Sequence, residues 1–148
     1  MSMNLKEKLK VAKERNEFRV LKDLILSKND IKEYEIIQED IDYQAVIDIA
    51  FERQVLLKNE CDARIMKKNF KSFVSGIDDN EDLTFCTSTI DNVFFIRLQA
   101  GIIKRNIDFF WGDERLYKNS QDRIFFSEKK NKGFTVLKSE YGLEVAEW

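Results

Sequence analysis

The chain has 148 residues, with 25 Lys and Arg against 27 Asp and Glu, and it contains neither histidine nor proline. The lack of histidine excludes Ser-His-Asp and Cys-His catalysis, imidazole proton transfer and imidazole metal ligands. Its two cysteines, Cys61 and Cys86, are isolated, so we expect neither a zinc site nor a disulfide framework. We therefore predict that the protein needs no metal and no cofactor.

The composition is that of a folded globular protein. The hydrophobic fraction of 43% and the twelve phenylalanines are enough for a packed core. The length suits one domain, which we divide into a helical lobe at 1–76 and a β-rich lobe at 83–148. No apolar run is long enough to span a bilayer, and the first residues lack the apolar stretch of a signal peptide. We predict a soluble cytoplasmic protein that does not bind membranes.

The first half of the chain has the apolar spacing of helices. This spacing predicts a helix from Asn4 to Ser27, with a bend or fraying at Asn16, where the apolar stripe is interrupted. We predict a second, short helix from Ile31 to Asp40, with Tyr34 and Ile37 facing inward.

A longer helical stretch follows in the sequence. Asp42 is a suitable N-cap for helix from Tyr43 to about Val74, and Gly76 ends it. The apolar stripe drifts between Ile65 and Phe70, which predicts a kink or a second helix there.

The second half changes to the alternating pattern of strands. We predict strands at Leu83–Ile90, Val93–Gln99, Arg123–Glu128, Phe134–Ser139 and Leu143–Trp148, with hairpin loops at Asp91-Asn92 and at 129–133. Residues 102–111 fit a helix face and a strand face equally well, and the flanking aromatics favour a strand. The pattern as a whole predicts an α+β fold, with a helical N-terminal half packed on a mostly antiparallel C-terminal sheet.

The segment 30–52 is strongly acidic, with eight Asp and Glu against one Lys, a net charge of −7. Such a segment suits a surface that docks on a basic partner, because complementary charges accelerate encounter. The alternatives are a carboxylate metal site and a solvated helix face neutralised by its basic neighbours. We take Glu33, Glu35, Glu39 and Asp40 as candidate partner-binding residues.

The densest aromatic cluster is Phe109-Phe110-Trp111. Aromatic side chains are favoured anchors at the centre of protein interfaces, although core packing is the alternative for each of them. We take all three as candidate anchors for a partner and expect one of them to be partly exposed.

Basic residues concentrate in 1–28 and 58–71, which is the pattern that attracts nucleic-acid phosphates. The acidic residues interleaved in the first of these segments suit ion pairing within a helix instead. The chain has no G-x-S-x-G, Walker A, G-x-G-x-x-G or C-x-x-C motif. The Glu-x-Lys spacing at 128–130 is too common to indicate a nuclease.

These observations favour a non-catalytic protein-binding module whose partner has a basic surface. An inhibitor, antidote or antagonist from a bacterium or its phage fits the small size and the Lys-, Asn- and Ile-rich composition. The alternative is a nucleic-acid-binding protein that uses the basic helices 1–28 and 58–71. A carboxylate-based, metal-dependent hydrolase is a third reading.

Overall fold

The computed structural model describes residues 3–28, 31–52, 63–118, 120–129, 131–139 and 142–148. Its α-helices are α1 (Leu5–Leu26), α2 (Tyr43–Glu52), α3 (Ala63–Ser75), α4 (Ala100–Arg105) and α5 (Ile107–Gly112). Its strands are β1 (Ile37–Glu39), β2 (Asp82–Ser88), β3 (Val93–Gln99), β4 (Arg123–Ser127), β5 (Lys132–Ser139) and β6 (Gly142–Glu147). Short 3₁₀ helices lie at Glu33–Glu35 and Glu114–Leu116.

The strands form one antiparallel sheet in the order β1-β3-β2-β4-β5-β6. The helical N-terminal half and this sheet confirm the predicted α+β fold. The five strands predicted between 83 and 148 correspond to β2, β3, β4, β5 and β6, and β2 and β3 are joined by a turn at the predicted Asp91-Asn92. The division into lobes at 1–76 and 83–148 stays a prediction.

Both faces of the sheet carry a hydrophobic cluster. Because successive strand residues point to opposite faces, Phe85 and Phe125 face the larger cluster while Cys86 and Phe126 face the smaller one. Residues of α1, α3, α4 and α5 build the larger cluster. Val46 of α2 belongs to the smaller cluster on the other face. The sheet is therefore covered on both sides, and Leu83–Ser88 is buried throughout.

Trp148 pairs with Gly133 of β5 beyond the end of β6. Trp148 exchanges two backbone hydrogen bonds with Gly133, at 3.1 and 3.0 Å. A Cβ atom at Gly133 would lie 2.1 Å from the Trp148 ring, so glycine is needed where the indole crosses the strand.

The strand predicted at 102–111 is wrong, because this segment forms the helices α4 and α5. Ile102 and Ile103 are both buried, and so are Phe109 and Phe110. Adjacent residues cannot share one face of a strand, whereas the turn of a helix brings both against a core. Tertiary packing here overrides the β propensity of the aromatic side chains.

The short helix predicted at 31–40 is also wrong. The segment instead forms one 3₁₀ turn and then strand β1, in which Ile37 and Glu39 pair with Arg97 and Phe95 of β3. Tyr34, predicted to face inward, is 82% exposed.

Two smaller expectations about helix continuity are corrected. α1 runs from Leu5 to Leu26 without interruption at Asn16, and α3 continues through Ile65 and Phe70. Gly76 follows the last residue of α3, as predicted. Residues 53–62, in the middle of the predicted long helical stretch, lie outside the described residues.

Candidate partner-binding surfaces

Strand β1 is the edge strand of the sheet, and it carries the first candidate surface. It pairs with β3 on one side, and the described part of the chain places no strand on its other side. Tyr34 precedes it and is 82% exposed, while Ile37 in the strand is 41% exposed. An exposed aromatic residue beside an open strand edge is a feature that a binding partner can use.

The four predicted carboxylates surround this edge, and three of them have partners within the molecule. Glu33 forms an ion pair with Lys22 at 3.0 Å, and Glu35 accepts a hydrogen bond from the Lys32 backbone at 2.9 Å. Glu39 pairs with Arg97 at 3.0 Å. Asp40 is exposed at the end of β1. We call Glu33, Tyr34, Ile37, Glu39 and Asp40 the acidic edge.

A groove of about 360 Å³ runs beside the acidic edge. Three carboxylates line it, from Glu14 of α1 and from Glu39 and Asp40. No lysine or arginine is among the described residues that line the groove. The remaining lining residues are Gln38, Ile41, Asn92, Val93, Phe94 and Phe95. A cavity with this lining attracts a cationic side chain.

The aromatic cluster lies in the core rather than on a docking surface. Phe110 is fully buried, and Phe109 is buried beside it. Trp111 is half-buried and stacks on Phe70, with ring centroids 4.7 Å apart. Phe109 and Phe110 could contact a partner only if the core opened, and their binding role stays a prediction. Trp111 is the member of the cluster that keeps some exposure.

The basic segments lie on α1 and α3. Lys6, Lys8, Lys10 and Arg15 are exposed along α1. Lys13 of the same helix pairs with Asp91 at 2.5 Å. In α3, Lys67 pairs with Asp108, and the pairing lowers the pKa of that carboxyl. Residues 58–62 of the second predicted basic segment lie outside the described residues.

A small cavity of about 190 Å³ is lined by Cys86, Tyr43 and Asp122 among other residues. Tyr43 donates its hydroxyl to Asp122 at 3.2 Å in the same cavity. Burial raises the pKa of both Cys86 and Tyr43 to about 12. The thiol is therefore neutral near pH 7, and a neutral thiol is a poor nucleophile.

The described residues contain no cluster of three or more Cys, Asp or Glu side chains arranged to hold a metal ion. Among the helices that the structure describes, none combines the length and apolar character needed to cross a bilayer.

Comparisons of the chain with known protein families, with curated proteins and with solved structures give no match.

Sequence reasoning missed two groups of exposed apolar side chains. Tyr34 was assigned to a core, although it stands between two glutamates, Glu33 and Glu35, which is a signal of exposure. Leu5 and Leu9 belong to the apolar spacing that predicts helix α1, yet they are 73% and 62% exposed. Their position on the side of the helix opposite Leu21 and Ile25 is visible in the sequence once the helix is taken as continuous.

Proposed function

We propose that the protein is a non-catalytic protein-binding module that receives a basic partner protein on the acidic edge. The observation that carries the proposal is the 82% exposure of Tyr34, which stands between Glu33 and Glu35 next to an open strand edge. Tyrosine is enriched among the residues that dominate binding energy, because its ring offers a large contact area and its hydroxyl a hydrogen bond.

The charges around Tyr34 favour a basic partner. The segment from 30 to 52 has a net charge of −7, and Glu39, Asp40 and Glu14 of α1 line the adjacent groove. Carboxylates at the rim of a surface steer a cationic partner toward it and reject anionic partners. Ile37 supplies apolar contact area next to the tyrosine.

An inhibitor, antidote or antagonist is the class of module that we propose. A basic protein surface often exists to bind phosphates. A module with a carboxylate-rich edge competes for such a surface by the same electrostatics. The Lys-, Asn- and Ile-rich composition agrees with an origin in a bacterium or its phage.

Site-directed photocrosslinking tests the proposal. The photoreactive residue p-benzoylphenylalanine replaces Tyr34 in the full chain, which is expressed in native host cells and irradiated. The matched control carries the same residue at Ile90, which is 72% exposed in the β2–β3 turn and outside the acidic edge. We expect one protein to be crosslinked at position 34 and not at position 90, and mass spectrometry to locate the crosslink in a basic segment of it.

Two results would contradict the proposal. One is equal crosslinking from both positions, which indicates random contact with abundant proteins. The other is a crosslinked product that nuclease digestion removes, which supports the nucleic-acid alternative instead.

A further inference from the structure

Helix α1 carries a second apolar stripe, which faces solvent. Leu5, Leu9 and Val20 are 73%, 62% and 56% exposed, and Ala12 between them is exposed as well. With about 100° of rotation per residue, the four side chains fall within an arc of about 80°. Leu21 and Ile25, which enter the core, lie on the opposite side of the helix. The same helix therefore has one apolar face for the sheet and another that faces outward.

The first two turns of α1 stand clear of the body. Every residue from 3 to 10 is exposed. The helix begins with a reciprocal capping box between Asn4 and Glu7, which stabilises its end without tertiary contacts. Attachment to the body begins with the ion pair of Lys13 and Asp91 and continues where Phe18 packs on Phe94, with ring centroids 5.5 Å apart. Glu17 of this region accepts a hydrogen bond from the Thr89 hydroxyl at 2.9 Å.

Positive charges border the exposed stripe on both sides. Lys6 and Lys13 lie along one flank, and Lys8 and Arg15 lie along the other. The glutamates Glu7 and Glu14 fall on the core-facing side of the helix. Over residues 5–15 the charges of α1 are thus segregated around the stripe, whereas Asp23 falls on the line of the stripe itself further along the helix.

The spacing of the stripe is that of a helix-pairing seam. Leu5, Leu9 and Ala12 are separated by four and three residues, the interval of the a and d positions in a coiled coil. Asn16 and Arg19 occupy the next two such positions, and Val20 lies beside the seam, so the apolar seam covers residues 5–12. A strict a and d stripe is narrower than the apolar face of a core helix. The flanking cations take the e and g positions, which select the partner. Lys13 among them is already paired with Asp91, so Lys6, Lys8 and Arg15 carry the selection.

We infer that this face of α1 docks an amphipathic helix of a partner protein whose apolar seam is flanked by Asp and Glu. A second copy of α1 is disfavoured, because Lys and Arg would meet Lys and Arg in either helix direction. An interfacial membrane helix buries a wide face with bulky aromatics, whereas this stripe contains two leucines, an alanine and a valine. The site is separate from the acidic edge and has the opposite charge.

The test uses two synthetic helical peptides of about four heptads with leucine at a and d. One has Glu at every e and g position, and the other has Lys there. Binding of each fluorescently labelled peptide to the full chain is measured by anisotropy. We expect the acidic peptide to bind at least about tenfold more tightly than the basic peptide.

Matched variants locate the binding. The double variant Leu5→Ser and Leu9→Ser should lose affinity for the acidic peptide by about tenfold or more, while Ile90→Ser, also at a highly exposed position, should bind like the wild type.

Replacing Lys8 and Arg15 by Glu should reduce the preference for the acidic peptide. Lys10→Glu, a charge reversal off the flanks of the stripe, should have a smaller effect. Tyr34→Ala should leave peptide binding unchanged.

Each opposing result overturns the inference. Equal binding of both peptides, or unchanged binding by the Leu5→Ser and Leu9→Ser variant, removes the seam as the site. Sedimentation of the wild type as a dimer that the leucine substitutions dissociate assigns the stripe to a second copy. Leucine-dependent binding to vesicles of phosphatidylserine and phosphatidylcholine, without peptide binding, assigns it to a membrane surface.

Discussion

Cys86 and Tyr43 line the same small cavity, and each is kept protonated by its surroundings. Desolvation is the main cause that raises the pKa of Cys86 to about 12, and the Asp122 carboxylate adds to it. In the unfolded chain the same thiol has an ordinary pKa. The folded state therefore holds a proton at alkaline pH that the unfolded state has already released.

This difference predicts a loss of stability at alkaline pH. The contribution of Cys86 is fully present below the unfolded pKa and is lost as the pH rises toward the folded value of about 12. Between about pH 8 and pH 10 we expect the wild type to lose about 1 kcal/mol more unfolding free energy than Cys86→Ala. Urea unfolding at each pH measures both slopes. Parallel slopes would mean that the folded thiol is solvated and titrates normally.

For the carboxylates of the acidic edge, the sequence predicts the shared charge but not the contacts of each side chain. Their shared negative charge is visible as a run of acidic letters. Their separate roles depend on Lys22 and Arg97, whose distances in the chain from Glu33 and Glu39 give no signal in the sequence. The place of Tyr34 beside an open strand edge likewise follows from the pairing of β1 with β3, which the local pattern does not specify.

At the scale of elements, one glutamate ties the middle of α1 to the sheet. Glu17 accepts hydrogen bonds from the side chains of Thr89 and Asn92, which belong to the β2–β3 turn. These contacts fix the middle of a helix whose first residues are fully exposed.

Replacing Glu17 by Ala should loosen α1 locally. We expect faster amide hydrogen exchange in the first half of α1 and a stability loss of about 1 kcal/mol, since two partly buried donors lose their acceptor. Strands β4 and β5 should exchange as in the wild type. Lys10→Ala, at an exposed position of the same helix, is the control. Unchanged exchange in α1 would show that Phe18 and the core-facing residues hold the helix without this contact.

The elements that the sequence predicted best are those with a clear period. Alternation over Val93–Gln99 gave the strand with its observed bounds, and Phe94, Ile96 and Leu98 share the predicted face. The strand prediction at 102–111 failed because the apolar positions there fit the period of a helix as well as that of a strand. The helix is stabilised by the packing of Phe110 against Phe85, which is distant in the sequence, and by the hydrogen bond that Tyr117 donates to the Phe110 carbonyl. Neither contact follows from the local apolar pattern.

At the scale of the whole molecule, a net charge of −2 conceals two surfaces of opposite sign. The acidic edge and the stripe of α1 occupy different elements, and both present apolar side chains to solvent among charges. The two proposals are independent, because substitutions at Tyr34 and at Leu9 test them separately. Together they describe a small adaptor that contacts a basic protein on one surface and an acidic helix on the other.

The central claim is that the acidic edge steers a basic protein partner. The measurement that tests it most directly is the association rate with the partner identified by crosslinking, over a range of salt concentrations. The test variant is Glu33→Lys with Asp40→Lys, which spares the Glu39–Arg97 pair and the cap formed by Glu35. The control is Glu114→Lys with Glu128→Lys, two exposed positions outside the edge that make the same change in net charge.

We expect the test variant to associate about tenfold more slowly at low salt, with a flatter salt dependence and a dissociation rate near that of the wild type. The control should stay close to the wild type, and circular dichroism should confirm that both variants are folded. If the two variants associate equally, only the net charge matters and the acidic edge is not the docking surface.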